Sequence, residues 1–294
     1  MQDQFAAAYL ETVRTRVLDR QGGFAGQVAG GYRADATAWA AVALHAVGRG
    51  ADLVKAARAR LAAQQLADGR VCLSPQHPDT FWLTPLAILA WHQDPDYREA
   101  QARASRFLLN STGRHWLRRP DAPFEHDSAL RGWPWIAETH SWVEPTSLAV
   151  LALRITGWGE HERVKEAVRL LLDRQLPKGG WNYGNTKIFG QELFPFPEST
   201  GLVLNALRGM TPQPQVQKSL DYLKSRLQEV RTPLALGWGL MGLASWGEEP
   251  AGVQAWISEC LERQKRYGPY DTASLSLLLV ASRAPQGLES VFNN

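Results

Sequence analysis

A short motif recurs along the chain and constrains its fold more than any other feature. Leucine, an acidic residue, arginine and glutamine follow one another at residues 18–21, 172–175 and 261–264, with weaker copies at 61–64 and 107–110. A glycine and then an apolar or aromatic residue come shortly after each copy. Because glycine adopts the left-handed conformation that ends many helices, we expect each copy to end a helix. The repeat predicts an array of similar helical units.

A second marker is a threonine followed by a small residue or proline and then by an apolar stretch. Threonine at a helix cap and proline in the first turn are start signals for helices. The markers therefore predict six further helices. Their threonines are Thr37, Thr84, Thr146, Thr200, Thr232 and Thr272.

The two sets of predicted helices differ in polarity. Residues 164–175 place apolar and charged side chains on opposite faces of a helix, which is typical of a helix with one face in solvent. Residues 148–155, 202–207 and 274–281 are apolar nearly all round, as in helices enclosed on every side. With no convincing strand pattern, the chain is predicted to be all-α.

The arrangement that fits these helices is an α/α toroid of six inner and six outer helices, forming a single domain over residues 1–294. An open array of repeats needs polar capping units at its ends. The predicted terminal helices, 9–20 and 272–282, show no polar cap. We therefore expect the array to close into a ring.

Composition and charge exclude several classes of protein. The formal net charge is only +3, without a basic block, so we expect no nucleic-acid partner. No apolar run approaches the roughly 20 residues that span a bilayer, and the N-terminus does not resemble a signal peptide. The two cysteines fit neither a disulfide framework nor a zinc site. We expect a cytoplasmic protein with no metal or cofactor; peripheral membrane association and oligomeric state stay open.

Three carboxylates are the candidate catalytic groups. Asp35, Glu144 and Glu198 each lie two residues before a marker threonine. In a closed ring they would gather around one mouth, where an apolar surround raises carboxyl pKa values and favours general acid catalysis. Glu144 is the best candidate, because glutamate is a poor cap and the next residue is proline. The alternative is that these acids only complement the helix dipoles.

The connection over residues 115–143 is the least repetitive part of the chain and is rich in tryptophan. Connections of this length are usually functional or disordered, and this one is too aromatic for disorder. We interpret it as a lid-like insertion; alternatively, its aromatic residues plug one end of the ring. Aromatic faces stack on apolar surfaces or attract cations. The candidate substrate-binding residues are Tyr32, Trp133, Trp135, His140, Trp142, Trp181 and Tyr183.

The segment from Gln175 to Trp181 resembles the Gln-Trp repeat of squalene and oxidosqualene cyclases. The degenerate copies extend the likeness to the terpenoid cyclase and protein prenyltransferase superfamily over most of the chain. The resemblance implies a toroid with its active site in a central cavity, near the N-terminal ends of the inner helices. The sequence lacks the Asp-x-Asp-Asp acid motif of these cyclases, since Asp94-Pro95-Asp96 has no third acid.

These observations lead to three functional hypotheses. The first is a terpenoid cyclase-like or prenyltransferase-like protein that binds an isoprenoid or similar small apolar ligand in a central aromatic cavity. In an enzyme of this kind Glu144, Glu198 or Asp35 would supply the proton. The second is a carbohydrate-active α/α-barrel enzyme, since glycosidases use two acids about 5 to 9.5 Å apart together with stacking aromatic rings. The third is a non-catalytic binding or scaffold protein.

Overall fold

Helices dominate the structure, a computed structural model that describes residues 2–18, 22–74 and 76–293. In chain order the helices are α1 (Gln2–Arg14), α2 (Ala34–Ala46), α3 (Ala51–Ala63), α4 (Leu83–Trp91), α5 (Arg98–Asn110), α6 (Val143–Ile155), α7 (Glu162–Asp173), α8 (Pro197–Leu207), α9 (Gln213–Leu227), α10 (Pro233–Ala244), α11 (Val253–Glu262), α12 (Gln264–Tyr267) and α13 (Thr272–Ser282). Two 3₁₀ turns, Pro95–Tyr97 and Leu288–Phe292, and one small hairpin, β1 (Lys187–Ile188) with β2 (Gln191–Glu192), are also present.

Two concentric layers of helices follow from the two polarity patterns. Helices α2, α4, α6, α8, α10 and α13 each contact the next, and α13 contacts α2. Every residue of α4 is buried, as expected for a helix that is apolar all round. The outer helix α7 buries Val164 and Ala167 but exposes Glu162 and Arg169. The predicted all-α toroid of six inner and six outer helices in one domain is confirmed.

Buried hydrogen bonds close the ring between its first and last units. The Tyr9 hydroxyl lies 2.6 Å from Ser276 Oγ, joining α1 to α13. The backbone N–H of Thr272 donates to Gly26 O at 2.9 Å. The guanidinium of Arg16 donates to the hydroxyl of Thr272 at 3.2 Å. Residues more than 240 positions apart in sequence are thus held together.

The beginning of the chain differs from the prediction. The sequence predicts a helix over residues 9–20, whereas α1 begins at Gln2 and ends at Arg14. The chain then turns, and Val17 pairs with Phe24 in an isolated antiparallel bridge. The first copy of the motif, at 18–21, lies mostly outside the described residues, which omit 19–21.

The marker threonines have a different role from the predicted one. Thr146 lies one turn inside α6, and its buried hydroxyl accepts the backbone N–H of Trp133 at 3.0 Å. Three further repeats make the same bond, from Phe24 to Thr37 (2.9 Å), from Val71 to Thr84 (3.1 Å) and from Trp181 to Thr200 (3.0 Å). These threonines therefore tie the preceding turn to an inner helix and do not cap it.

Two of the six markers depart from this scheme. Thr232 is an exposed cap residue of α10, and its side chain makes no capping hydrogen bond. Leu236 occupies the position in α10 that corresponds to Thr146 in α6. Thr272 donates instead to Ala25 O at 2.7 Å across the ring closure. In the third repeat the glycine and aromatic pair is Gly132-Trp133 and not the predicted Gly113 before Trp116.

The repeat glycines also do more than end helices. Gly69 and Gly179 have φ values of +95° and +96° and lie in turns several residues after their helices end. A Cβ on Gly179 would lie 2.4 Å from Lys218 O of α9, and one on Gly69 would lie 2.3 Å from Arg103 O of α5. Glycine is thus required because each turn packs directly on the backbone of the next outer helix.

The interior of the ring is filled by side chains, which differs from the expected central aromatic cavity. Trp39 of α2 and Trp238 of α10 come from helices that are not neighbours, yet their rings meet with centroids 5.5 Å apart. Both are buried, and the equivalent positions of other inner helices hold buried leucines, Leu86, Leu148 and Leu202. Five of the six inner helices thus place a bulky buried side chain at this position, whereas α13 has Ser274 there.

The two faces of the toroid are built differently. The connections that precede the inner helices are mostly long, and they bond to one another around the front face, as Phe81 N–H does to Trp135 O at 2.9 Å. The rear face is covered by the C-terminal 3₁₀ turn, where the Phe292 ring lies 5.1 Å from His92 and 5.9 Å from His45. None of the described helices combines the length and apolarity that crossing a bilayer requires.

We predict that Thr146→Val destabilises the protein by about 1 to 3 kcal/mol, because the buried N–H of Trp133 loses its acceptor while the side-chain volume is kept. Urea unfolding followed by circular dichroism measures the change. Thr232→Val is the matched control, since that hydroxyl is exposed and makes no cap bond, and should change stability by less than about 0.5 kcal/mol. Equal losses in both variants would contradict the assigned role.

Candidate functional site

The three predicted carboxylates occupy the same position in three inner helices. Asp35, Glu144 and Glu198 are each the second residue of their helix, in α2, α6 and α8. The first turns of the inner helices surround the front mouth, so all three lie on its rim. Helices α6 and α8 are neighbours, whereas α4 separates α2 from α6. The rim therefore brings Glu144 and Glu198 together and leaves Asp35 apart.

Glu144 is the group whose environment is most unusual. Burial raises its pKa above the ordinary value, and the negative charge of Glu198 raises it further. The hydroxyl of Ser199 donates to Glu144 Oε1 at 2.9 Å, which opposes the shift by stabilising the charged form. A carboxyl group with a raised pKa beside a second carboxylate is the arrangement of a general acid and its partner.

Asp35 has a different environment. Its two oxygens accept hydrogen bonds from Arg33, at 2.9 Å from Nε and 2.6 Å from Nη2. The planar guanidinium thus forms a bidentate ion pair with the carboxylate. The contact gives Asp35 a structural function, holding the entry of α2, and we do not include it in the proposed catalytic pair.

Tyrosine side chains lie close to the paired carboxylates. The pKa of Tyr183 is raised by burial and by the charges of Glu144 and Glu198. Its ring packs against Phe196 with centroids 5.1 Å apart, and half of the residue remains exposed. Tyr222 donates to Pro195 O at 2.8 Å, and burial with the charge of Glu198 among the causes raises its pKa to about 12. The Tyr183 ring and the Tyr222 side chain thus lie close to Glu144 and Glu198 at the front mouth.

The insertion at 115–143 is an ordered cover over part of the front face. It folds back on itself, with Trp116 N–H donating to Ser128 O at 3.0 Å and Trp142 N–H to Trp133 O at 3.1 Å. It is bonded to its neighbours on both sides, through Thr80 paired with Ile136 and through Phe189 N–H donating to Pro123 O. A lid function for this segment stays a prediction.

Four of the predicted substrate-binding residues lie on the front face with part of their surface accessible. Trp142 is the cap residue of α6, directly before the turn that carries Glu144, and is half-buried. Trp135 is half-buried and meets Trp82 edge to face at 5.8 Å. His140 is exposed and lies 4.8 Å from the Trp116 ring. With Tyr183, these rings border the mouth.

The other three aromatic candidates are held in the core. Trp133 and Trp181 are buried, and their indole N–H groups donate to Leu108 O and Leu171 O on outer helices, at 2.9 Å and 2.6 Å. Tyr32 packs under the guanidinium of Arg60, 4.6 Å from its ring centroid. Packing and hydrogen bonding account for Trp133 and Trp181, and the Arg60 contact accounts for the ring of Tyr32, although the Tyr32 hydroxyl has no hydrogen-bond partner among the described residues. We leave all three out of the proposed site.

Several residues of the site were missed by sequence reasoning. Ser199 follows Glu198 directly, and a serine in the first turn of an inner helix was the available signal. Arg33 lies two residues before Asp35, a spacing that allows the observed fork. Tyr222 lies on α9 and carries no local signal. Within the described residues, no group of three or more His, Cys, Asp or Glu side chains is arranged to hold a metal ion.

No protein-family model and no curated protein matches this sequence. Solved structures match it closely in fold. An α-1,6-mannanase from Salegentibacter sp. superposes with a TM-score of 0.65, covering 97% of this chain and 99% of its own at 12% identity. The type II terpene cyclase MstE from Scytonema gives 0.62, covering 97% of each chain at 15% identity. A protein from Actinoplanes gives 0.64, with 97% and 99% coverage at 15% identity.

These similarities establish the fold and nothing finer, because the identities are far too low to carry an activity. The chain shares its α/α toroid with proteins of two chemistries, terpene cyclases and mannanases. Terpenoid cyclase-like is thus one supported assignment at the level of fold. The choice between these chemistries rests on the site of this protein itself.

We predict that Glu144→Gln stabilises the protein at pH 7, because burial and the charge of Glu198 disfavour ionisation of the wild-type carboxyl group in the folded state, whereas glutamine does not ionise. A carboxyl whose pKa is raised by folding lowers stability as pH rises from its ordinary pKa through the raised one. The gain should therefore shrink toward zero as pH falls below about 4. Urea midpoints over pH 4–8 measure this. Glu11→Gln, on the exposed face of α1, is the control; parallel curves for all three proteins would refute the prediction.

Proposed function

We propose that this protein is a carbohydrate-active enzyme in which Glu144 acts as the general acid and Glu198 as the ionised partner. The observation that carries the proposal is the pair of carboxylates on neighbouring helices at the front mouth, with the pKa of one raised by burial and by the other's charge. Glycoside hydrolysis needs one protonated and one ionised carboxyl group on either side of the scissile bond.

The filled interior supports a substrate that lies across the mouth. A sugar chain needs an open surface with aromatic rings to stack on, and the accessible faces of Tyr183, Trp142 and Trp135 supply such a surface. Cyclisation of an isoprenoid needs an enclosed chamber that excludes water. Trp39 and Trp238 occupy the place where the central chamber was expected.

In the proposed reaction Glu144 donates its proton to the glycosidic oxygen as the bond to the anomeric carbon breaks. Glu198 stabilises the positive charge that develops on the sugar, either by activating a water molecule or by attacking directly. Ser199 holds the carboxyl group of Glu144 in place through the 2.9 Å bond. Sharing a fold with an α-1,6-mannanase, of which a variant with two aspartates replaced is inactive, is compatible with this chemistry.

We expect the wild-type protein to release reducing sugar from at least one member of a panel of α- and β-linked oligosaccharides. Glu144→Gln and Glu198→Gln should each lower kcat/KM by about 100-fold or more, because each removes a proton donor or an ionised partner. Asp35→Asn is the matched control: it lies at the equivalent helix position but is paired with Arg33, and should retain activity within about threefold. Full activity of Glu144→Gln, or no turnover of any glycan, would reject the proposal.

A second candidate function is supported by a separate observation. A cavity of about 960 Å³ opens on the rear face between α10, α13 and the start of α11, and its wall includes Leu240, Ala244 and Ala281. Its size and the apolar part of its wall suit an isoprenoid or similar apolar ligand, as in the first hypothesis, while Glu248, Glu249 and Arg283 line the remainder. Glu144 and Glu198 lie on the opposite face. Binding there would need no acid. The neighbouring fold of MstE, solved with geranylgeranyl dihydroxybenzoate, is compatible with such a ligand.

For this second function we expect geranylgeraniol to raise the melting temperature of the wild-type protein but not of Ala244→Trp, which fills the cavity from its wall. Differential scanning calorimetry measures both proteins. Glu144→Gln should respond as the wild type does, because its carboxyl group is on the other face. No shift in the wild type, or the same shift in Ala244→Trp, would remove this candidate.

A further inference from the structure

A second cavity lies next to the carboxylate pair, under the insertion at 115–143. Its volume is about 240 Å³. The basic side chains in its wall are those of Arg114, Arg174, His126 and His140. The indole rings in its wall are those of Trp116 and Trp142. This composition differs from that of the rear cavity, which is mainly apolar. Neither the fold nor the proposed chemistry accounts for it.

The most informative residue in the wall of this cavity is Arg174. The residue is only 4% exposed, and burial lowers its pKa to about 10. Its Nη2 donates to Asp127 O at 3.1 Å. Its Nη1 lies 3.3 Å from the Asp173 carboxylate but makes no hydrogen bond of good geometry with any described residue. A buried guanidinium with an unused donor is costly, and an anion in the cavity would remove that cost.

The carboxylates near Arg174 do not supply the hydrogen-bond acceptor that its Nη1 lacks. Asp173 is already engaged, since it accepts the backbone N–H of Asp127 at 3.0 Å, and burial raises its pKa. Glu138, the only carboxylate paired with Arg114 among the described residues, is largely exposed and forms that pair at 3.0 Å in solvent. An exposed ion pair of this kind contributes little and is easily exchanged for another anion.

A second unused polar atom points to the same ligand class. His126 Nδ1 is buried without a hydrogen-bond partner among the described residues. Its ring stacks on Phe124 at 4.4 Å with an interplanar angle of 15°, which fixes its orientation. Nδ1 donates when it carries the proton. The cavity wall thus includes a guanidinium and an imidazole that each have one buried nitrogen without a hydrogen-bond partner among the described residues.

The cavity is joined to the acid pair through the chain itself. Trp142, one of its wall residues, caps α6 two positions before Glu144. Gly184, another wall residue, follows Tyr183 directly. Two parts of the cavity wall thus lie within two residues of Glu144 and of Tyr183 at the rim. A volume of this size accommodates one sugar unit, and the Trp116 and Trp142 indoles provide apolar surface for it.

We propose that this cavity binds an anionic sugar unit through its carboxylate, with Arg174 and His126 donating hydrogen bonds to it and Arg114 attracting it at the opening. Arginine suits a carboxylate because its planar fork matches the two oxygens. The identity of the ligand as a sugar rests on the function proposed above. The anion preference rests on the cavity alone.

The test is isothermal titration calorimetry of the intact protein with glucuronate and galacturonate, each compared with glucose and galactose. We expect each uronate to bind at least tenfold more tightly than its neutral counterpart. Arg174→Gln should abolish that preference, and Arg114→Gln should reduce it about threefold or more and weaken its dependence on salt. Arg119→Gln is the matched control, because Arg119 belongs to the same segment but pairs with Asp121 in solvent.

Arg174 is buried, so Arg114→Gln, an exposed position, keeps the test valid if Arg174→Gln does not fold. Equal affinity for uronates and neutral sugars, or an unchanged preference in the folded Arg114 and Arg174 variants, would overturn the inference. Glucose 6-sulfate is titrated in parallel: tighter binding than glucuronate would overturn the choice of a carboxylate. Glu144→Gln should bind uronates as the wild type does. Uronate binding without hydrolysis of any glycan would reject only the proposed activity. Hydrolysis confined to neutral glycans would reject only the inference that the cavity binds an anionic sugar.

Discussion

The toroid depends on a buried hydrogen bond that recurs in four of its units. A threonine hydroxyl near the start of an inner helix accepts the N–H of an apolar or aromatic residue in the turn that contains the repeat glycine, as Thr146 does from Trp133. A backbone N–H buried beside apolar helices must find an acceptor, and this bond provides one where the chain crosses from the outer to the inner layer. Each front turn is thereby fixed against its helix, and the first turns of the inner helices form a regular rim.

The regular rim explains why residues far apart in sequence meet at the mouth. Glu144 and Glu198 are separated by one complete unit, yet both are the second residue of their helix and face the same opening. Asp35 has the same position but a different neighbour, Arg33, and a different role. Equivalent positions in a repeat fold thus share geometry but not chemistry, because the charge of the surroundings is set unit by unit.

The aromatic residues also show that local sequence predicts only part of a residue's role. A glycine followed by tryptophan predicts a structural residue well, since Trp133 and Trp181 both donate their indole N–H to an outer helix. Trp135 and Trp142 belong to the same irregular segment as Trp133 but lie at the surface of the mouth, and nothing local distinguishes them. The interior could not be anticipated either, because the contact between Trp39 and Trp238 joins helices nearly 200 residues apart.

The sequence by itself determined the class of fold, the alternation of amphipathic and apolar helices and the placement of three carboxylates at helix starts. These features are periodic, and helix polarity and spacing can be read locally. Only the tertiary structure decided that the ring closes, that Trp39 meets Trp238 inside it, that Glu144 pairs with Glu198 and Ser199, and that Arg174 lines a cavity and has a donor without an acceptor. Those facts depend on side chains from different units meeting in three dimensions, and burial and charge act through distance in space.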